Sequence, residues 1–253
     1  MRSKYIDVLK ALAIITVVLY HAGVLTYGYL GVDIFLAIAG FFTTKSLSGH
    51  NINEGSFAHN YINFEINRII RLLPLILVAG FFCMALGYFV MLPDDYENLS
   101  ESVVASNLFS NNILAAITTK NYWDVVNEYK PLMHTWYVGV IMQFYIVYPI
   151  LFYLSRLDKR NPKGTLLTIL ATLAVISLLV YFSTTDTAQR FYYLPSRVFE
   201  FATGGIAALL YNPQQDKPFR KGFVYVCYIL LITLVFVNAD VIPASIRLVA
   251  VVC

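Results

Sequence analysis

The sequence predicts an all-α fold, a polytopic bundle of transmembrane helices, and three observations predict it. Of 253 residues, 58% are hydrophobic and 13% charged, with a mean hydropathy of +0.66, a balance foreign to a soluble domain of this size. Apolar runs of span length recur along the whole chain, separated by short polar stretches. The basic residues fall in alternate polar stretches, which is the charge asymmetry of a multi-pass protein. The net charge of +3 is spread in small clusters with no basic stripe, so no nucleic acid partner is indicated. Cys83, Cys227 and Cys253 lie inside apolar runs without CxxC spacing, which argues against a disulfide framework and a cysteine metal site.

Crossing roughly 30 Å of hydrocarbon takes about 20 apolar residues in a helix. The first such run, 8–27, is of full span length and lacks a small-residue cleavage site, so it reads as a helix and not as a signal peptide. The second run is 29–47 and the third 72–92. Residues 93–131 then carry Asp94, Asp95, Glu97, Glu101, Asp124 and Glu128 around a weakly apolar patch from Val103 to Thr119, predicting an outer loop with a short amphipathic or re-entrant helix. Further spans follow at 132–154, 165–183, 195–211, opened by the helix-start signal Leu194-Pro195-Ser196, and 222–238. An eighth begins at Ile242 and stops after about a dozen residues, too few to cross. The prediction is therefore seven spans plus the start of an eighth, in a single membrane domain over 1–253 that reads as C-terminally truncated.

Thirteen basic residues (Arg2, Lys4, Lys10, Lys45, Arg68, Arg71, Arg156, Lys159, Arg160, Lys163, Lys217, Arg220 and Lys221) group on one side of these spans. The other five, Lys120, Lys130, Arg190, Arg197 and Arg247, fall toward the opposite side. The positive-inside rule makes the thirteen cytoplasmic, which sets the N-terminus inside a cell (inner, cytoplasmic) membrane.

On this topology the polar residues sort into two layers. Lys10 and His21 are eleven positions apart, almost three helical turns, so they share a helix face about 16 Å apart, and Asp7 joins that face. Ionisable groups at membrane depth are costly unless they face a protein interior or wet cavity, so this line reads as the floor of an active site. The plainer reading, a snorkelling lysine and a helix-capping acid, covers Lys10 and Asp7 but not His21, which belongs in the outer part of the span. Arg68 and Arg71 at i,i+3 are either flanking charges or a cationic inner mouth able to hold phosphate. The outer layer holds His21, Asp33, His134, Trp136, the deeper Gln143, and Arg197 with Glu200. For Arg197 and Glu200 a structural ion pair and a functional role are equally open. His134 and Trp136 also suit an interfacial anchor, and the run from Gly31 to Gly40 suits close helix packing. His50 and His59 fall in a polar inner loop.

No HExxH, GxSxG, Walker or GxGxxG pattern is present. A partly desolvated histidine tends to stay neutral and able to accept a proton, which suits a general base acting on an alcohol. Taken together, Ile6-Asp7-Val-Leu-Lys10 with His21, Gly28-Tyr-Leu-Gly31-Val-Asp33 with Gly40-Phe41, Asn67-Arg68-Ile-Ile-Arg71-Leu-Leu-Pro74, His134-Thr-Trp136 with Gln143-Phe-Tyr145, and Pro195-Ser-Arg197-Val-Phe-Glu200 resemble the acyltransferase-3 integral membrane proteins. The resemblance runs the length of the chain. It implies a bundle of about ten helices and transfer of an acyl group, typically acetyl, from acyl-CoA to a hydroxyl of a polysaccharide or other glycan. It also implies roles: His21 catalytic, and Lys10, Arg68 and Arg71 on the acyl-CoA side. From the residues themselves, Asp7 joins the donor side, Glu200 or His134 orients or charge-balances His21, and no metal is expected. Where the family usually carries two acids before Gln143, this chain has Ile141 and Met142. A different class of function, a proton-coupled transporter or flippase, would use the same intramembrane acid, base and histidine residues to bind and release substrate without chemistry.

Overall fold

A computed structural model describes residues 4–49, 57–119 and 130–211. All regular structure among them is helical. The described residues fall into two compact units, one holding 4–46 and 200–211, the other those of 47–199.

The first unit is built on α1 (Lys4–His21), α2 (Leu30–Gly49) and α9 (Val198–Leu210). Ile6, Leu9 and Ala13 form the apolar stripe of α1, and it packs on Ile34, Phe35 and Ile38 of α2. α1 stops sooner than the predicted span 8–27. Gly23 takes a left-handed conformation, φ 71°, and the N–H groups of Gly23 and Val24 donate back to the carbonyls of Tyr20 (3.0 Å) and Leu19 (2.9 Å). That closes the helix in a Schellman turn, which glycine permits because it has no Cβ. α2 and α9 cross at glycines: a Cβ on Gly40 would run into the Phe201 backbone, and one on Gly204 into the Ala37 carbonyl. Small residues are what let two helix backbones approach this closely.

The second unit is built on α3 (Phe57–Val90), α4 (Pro93–Asn107), α5 (Asn111–Thr118), α6 (Trp136–Ser155), α7 (Pro162–Ser183) and α8 (Thr187–Tyr192). At 34 residues α3 is about 51 Å long. Its first half lies along α6, with Phe57 edge-on to Tyr153 at 4.3 Å, the Tyr61 hydroxyl donating to the Ile146 carbonyl at 3.2 Å and Phe64 against Tyr145. Its second half lies along α4, which runs antiparallel to it: Leu99 lies over Gly87 and Val103 over Gly80. A tight turn at Phe109, φ 53°, sends the chain into α5. Between α6 and α7 the Asp158 carboxylate accepts from the Thr165 hydroxyl (2.7 Å) and from the backbone N–H groups of Arg160 (3.0 Å) and Asn161 (3.4 Å). These donors, Thr165 first, hold the Asp158 carboxyl below the usual carboxylate range.

Among the described residues, four helices are long and apolar enough to cross a membrane, Leu30–Gly49, Phe57–Val90, Met133–Ser155 and Pro162–Ser183. They answer to the second, third, fourth and fifth predicted spans. The first and sixth fall short of this measure, since α1 carries Lys4, Asp7 and Lys10 in 18 residues and α9, with 13 residues, is only about 20 Å long. The span at 222–238 and the start of an eighth lie outside the described residues. Two further expectations change. The stretch before 72 is not loop but the first 15 residues or so of α3, and His59 stands exposed on it, its Nε2 2.9 Å from the Asn63 amide. The segment after 92 holds two helices in place of one short helix.

Candidate active site

In the first unit, Asp7 and Lys10 are half-buried on α1, and the Lys10 ammonium sits 4.4 Å from the centre of the Phe42 ring of α2, a cation–π contact. His21 ends the same helix. The sequence places it within the outer part of a longer span, partly desolvated. Because Gly23 ends α1, His21 instead stands exposed at the helix terminus, edge-on to Tyr20 at 5.2 Å. Tyr20 in turn meets Tyr29, and Tyr29 meets Tyr27, so an aromatic row borders the histidine. Asp33 is 8% exposed and Glu200 1%. Each occupies the first turn of its helix, where the unpaired N–H groups and helix dipole favour a negative charge.

In the second unit the two arginines of α3 differ. Arg68 is half-buried: its guanidinium lies over the rings of Phe64 (3.1 Å) and Tyr145 (4.6 Å), and Nη1 donates to the Phe64 carbonyl at 2.9 Å. Arg71, one turn on, is exposed. Since Tyr145 is midway along the span Met133–Ser155, Arg68 stands beside the middle of that helix, not at its inner border as its position before span 72–92 suggested.

Trp136 opens α6 at 2% exposure, clamped between Phe191 (4.8 Å) and Tyr192 (5.5 Å) of α8. Arg197 reaches the same ring, its guanidinium 4.7 Å from the centre of Phe191 and its Nε donating to the Phe191 carbonyl at 3.0 Å. Gln143 pairs with Asn112 of α5: the Gln143 amide donates to Asn112 Oδ1 at 2.9 Å, and Asn112 Nδ2 donates to Gln143 Oε1 at 3.3 Å and to the Tyr192 carbonyl at 3.1 Å. The structure thus brings Trp136, Gln143 and Arg197 together through α8 and Asn112. His134 is not buried with them; it lies exposed in the 3₁₀ turn Met133–Thr135.

Sequence reasoning missed the amides that organise this cluster. Asn112 is fully buried and Asn111 is 3% exposed. Asn111 Nδ2 donates to the Leu132 carbonyl (3.0 Å) and to the Thr135 hydroxyl (2.7 Å), which also meets Ser106 Oγ at 2.6 Å. The available signal was an Asn-Asn pair heading the apolar run Ile113-Leu-Ala-Ala-Ile117, where an unsatisfied amide would be costly. A Cβ on Gly139 would lie 2.5 Å from Asn112 Oδ1, so α6 admits this contact only where it carries glycine. Met142, one of the two apolar residues standing where acids were expected, is 2% exposed.

A family model described as an acyltransferase domain matches residues 3–251. The candidate membrane-bound transacylase BcsY of Komagataeibacter xylinus is 30% identical over 217 residues, 85% of this chain and 53% of that protein. A candidate O-acetyltransferase of Staphylococcus aureus (strain COL) is 26% identical over 250 residues, 93% of this chain and 40% of its own length. The peptidoglycan O-acetyltransferase OatA of Listeria monocytogenes is 28% identical over 219 residues, 84% of this chain and 35% of its own length. The chain therefore spans about half or less of the curated relatives it matches. No solved structure matches it.

Proposed function

The chain belongs to the acyltransferase-3 family of membrane proteins, and from that premise we propose that it moves an acyl group, most simply acetyl, from cytosolic acyl-CoA to a hydroxyl of a cell-surface or exported glycan. The observation that carries the reading is the unbroken helix Lys4–His21, which sets an amine and an imidazole about 16 Å apart on one face, a separation comparable to an extended pantetheine arm. Membership of an acyltransferase family favours this reading over the transporter.

His21 is the base. It takes the proton of the acceptor hydroxyl as that oxygen attacks the thioester carbonyl; the carbon–sulfur bond breaks, and the leaving thiolate recovers the proton from the imidazolium, giving an ester and free CoA. In a variant of the same scheme the imidazole carries the acyl group for one step. Glu200 or His134 orients or charge-balances His21; Lys10, Arg68 and Arg71, with Asp7, serve the donor, and Asp33, Trp136, Gln143 and Arg197 belong to the acceptor side or are structural. The N-terminus, the connection between α2 and α3 and that between α6 and α7 face the cytoplasm of an inner membrane, as do residues 212–222, which lie outside the described residues. The test is the full-length protein in liposomes with labelled acetyl-CoA and a glycan acceptor. Release of CoA coupled to label on the sugar is expected; acceptor transport without CoA release would refute the reading.

A further inference from the structure

Glu65 is the only acid on α3. Both carboxylate oxygens are shielded from solvent, and neither has a hydrogen-bond donor among the described residues. The obvious partner is Arg68, three residues on, which is well placed for a helical acid–base pair. The two charges are near enough to act on one another, but no hydrogen bond joins them. Arg68 is instead taken up by the Phe64 carbonyl and by the rings of Phe64 and Tyr145, while the Tyr61 hydroxyl one turn before is given to the Ile146 carbonyl. The nearest donors on the helix are thus committed elsewhere, and an acceptor is left open in a half-buried seam beside the middle of an apolar span. A carboxylate kept so is costly unless something brings it an N–H or O–H.

The surroundings narrow the class of ligand. Arg68 beside it and the exposed Arg71 one turn on select for an anion, and Phe57, stacked on Tyr61 at 5.9 Å and edge-on to Tyr153, continues the seam with aromatic rings. A ligand suited to all three carries negative charge, hydrogen-bond donors and flat groups together, as CoA does with its phosphates, its amide and hydroxyl groups, and its base. We propose that Glu65 is a binding residue for the acyl donor, accepting a hydrogen bond from an N–H or O–H group of the CoA whose phosphates Arg68 and Arg71 hold. This rests on the acyl-CoA reading above.

The test is CoA binding by calorimetry to the full chain in lipid nanodiscs, comparing wild type, Glu65→Gln and, as a control, Glu101→Gln on α4. Removing a hydrogen bond to a charged group should weaken CoA roughly 10- to 100-fold in Glu65→Gln and leave the control unchanged. Sulfate, an anion without donors, should compete equally well in all three. Equal CoA affinity in wild type and Glu65→Gln overturns the proposal. Absence of CoA binding to wild type overturns the donor reading itself, and this proposal with it. Should Glu65→Gln not fold, the wild type decides alone. Dicyclohexylcarbodiimide attacks carboxyls in apolar surroundings, so Glu65 should be labelled in peptide maps of the ligand-free protein and protected by saturating CoA. Labelling that CoA does not change, or no labelling at Glu65 at all, overturns the proposal.

Discussion

Replacing Asn112 by Ala removes three hydrogen bonds at once: two exchanged with Gln143 and one given to the Tyr192 carbonyl. Asn112 is fully buried, and with its side chain gone the Gln143 amide and the Tyr192 carbonyl lose a protein partner. At a net 0.5 to 1.5 kcal/mol for each bond, about 1.5 to 4.5 kcal/mol of stability is lost. A structural change alone could give that total, so the sharper quantity is the coupling between Asn112 and Gln143. Interhelical hydrogen bonds in membrane proteins average about 0.6 kcal/mol, and two of them set a coupling of roughly 1.2 kcal/mol. The assay is a double-mutant cycle of Asn112→Ala and Gln143→Ala, read as unfolding free energy in detergent micelles. If the single effects add to within about 0.3 kcal/mol, the amide pair is not an energetic unit and the account of how α5 is held is wrong.

Four further outcomes are expected. Gly204→Ala should separate α2 from α9, because its Cβ meets the Ala37 backbone, and should cost at least 1 to 3 kcal/mol in thermal or denaturant unfolding, as overpacking does. Asp158 has its folded pKa depressed by Thr165 and two backbone N–H groups, so its stabilisation is present above the unfolded pKa of about 3.9 and fades as pH falls through the lower folded value. The difference in melting temperature between wild type and Asp158→Ala should therefore shrink on acidification. His21→Ala should lower acyl transfer by about 10²- to 10⁴-fold with expression and CoA binding kept, and near-normal transfer by the folded variant would remove His21 from the mechanism. An impermeant thiol reagent applied to intact cells should label a cysteine at Asp95 and spare one at Lys159; the reverse pattern would invert the topology.

Much of the helical layout was legible because long apolar runs announce themselves: Leu30–Gly49, Met133–Ser155 and Pro162–Ser183 lie within a few residues of the runs that predicted them. Boundaries set by one backbone feature were not. Gly23, followed by the apolar Val24 and Leu25, looks like continued span until its positive φ ends α1 at His21. The long α3 was hidden for the opposite reason, since Asn60, Asn63, Glu65, Asn67 and Arg68 read as loop, whereas packing against α6 keeps them helical. At the candidate site, Trp136, Gln143 and Arg197 were legible as polar or amphipathic residues out of place in apolar runs. Their meeting through Phe191 and Asn112 was not, because it depends on α5 and α8, two helices of 8 and 6 residues too short to leave a periodic signal.

The asparagines of α5 also set an order of events during synthesis. Their partners are Leu132, Thr135, Gln143 and Tyr192, all later in the chain, and Tyr192 follows Asn112 by 80 residues. At roughly 5 to 20 residues per second, the ribosome needs some 4 to 16 seconds to make that interval. Asn111 and the Gln143 side of Asn112 find their partners once α6 is made, but until Tyr192 follows, one donor of the buried Asn112 amide lacks its acceptor, so α5 is not fully seated while α6 and α7 insert. α5 is thus a late closure in the assembly of its unit, and chains halted before Tyr192 should leave it open to proteases that the finished protein resists.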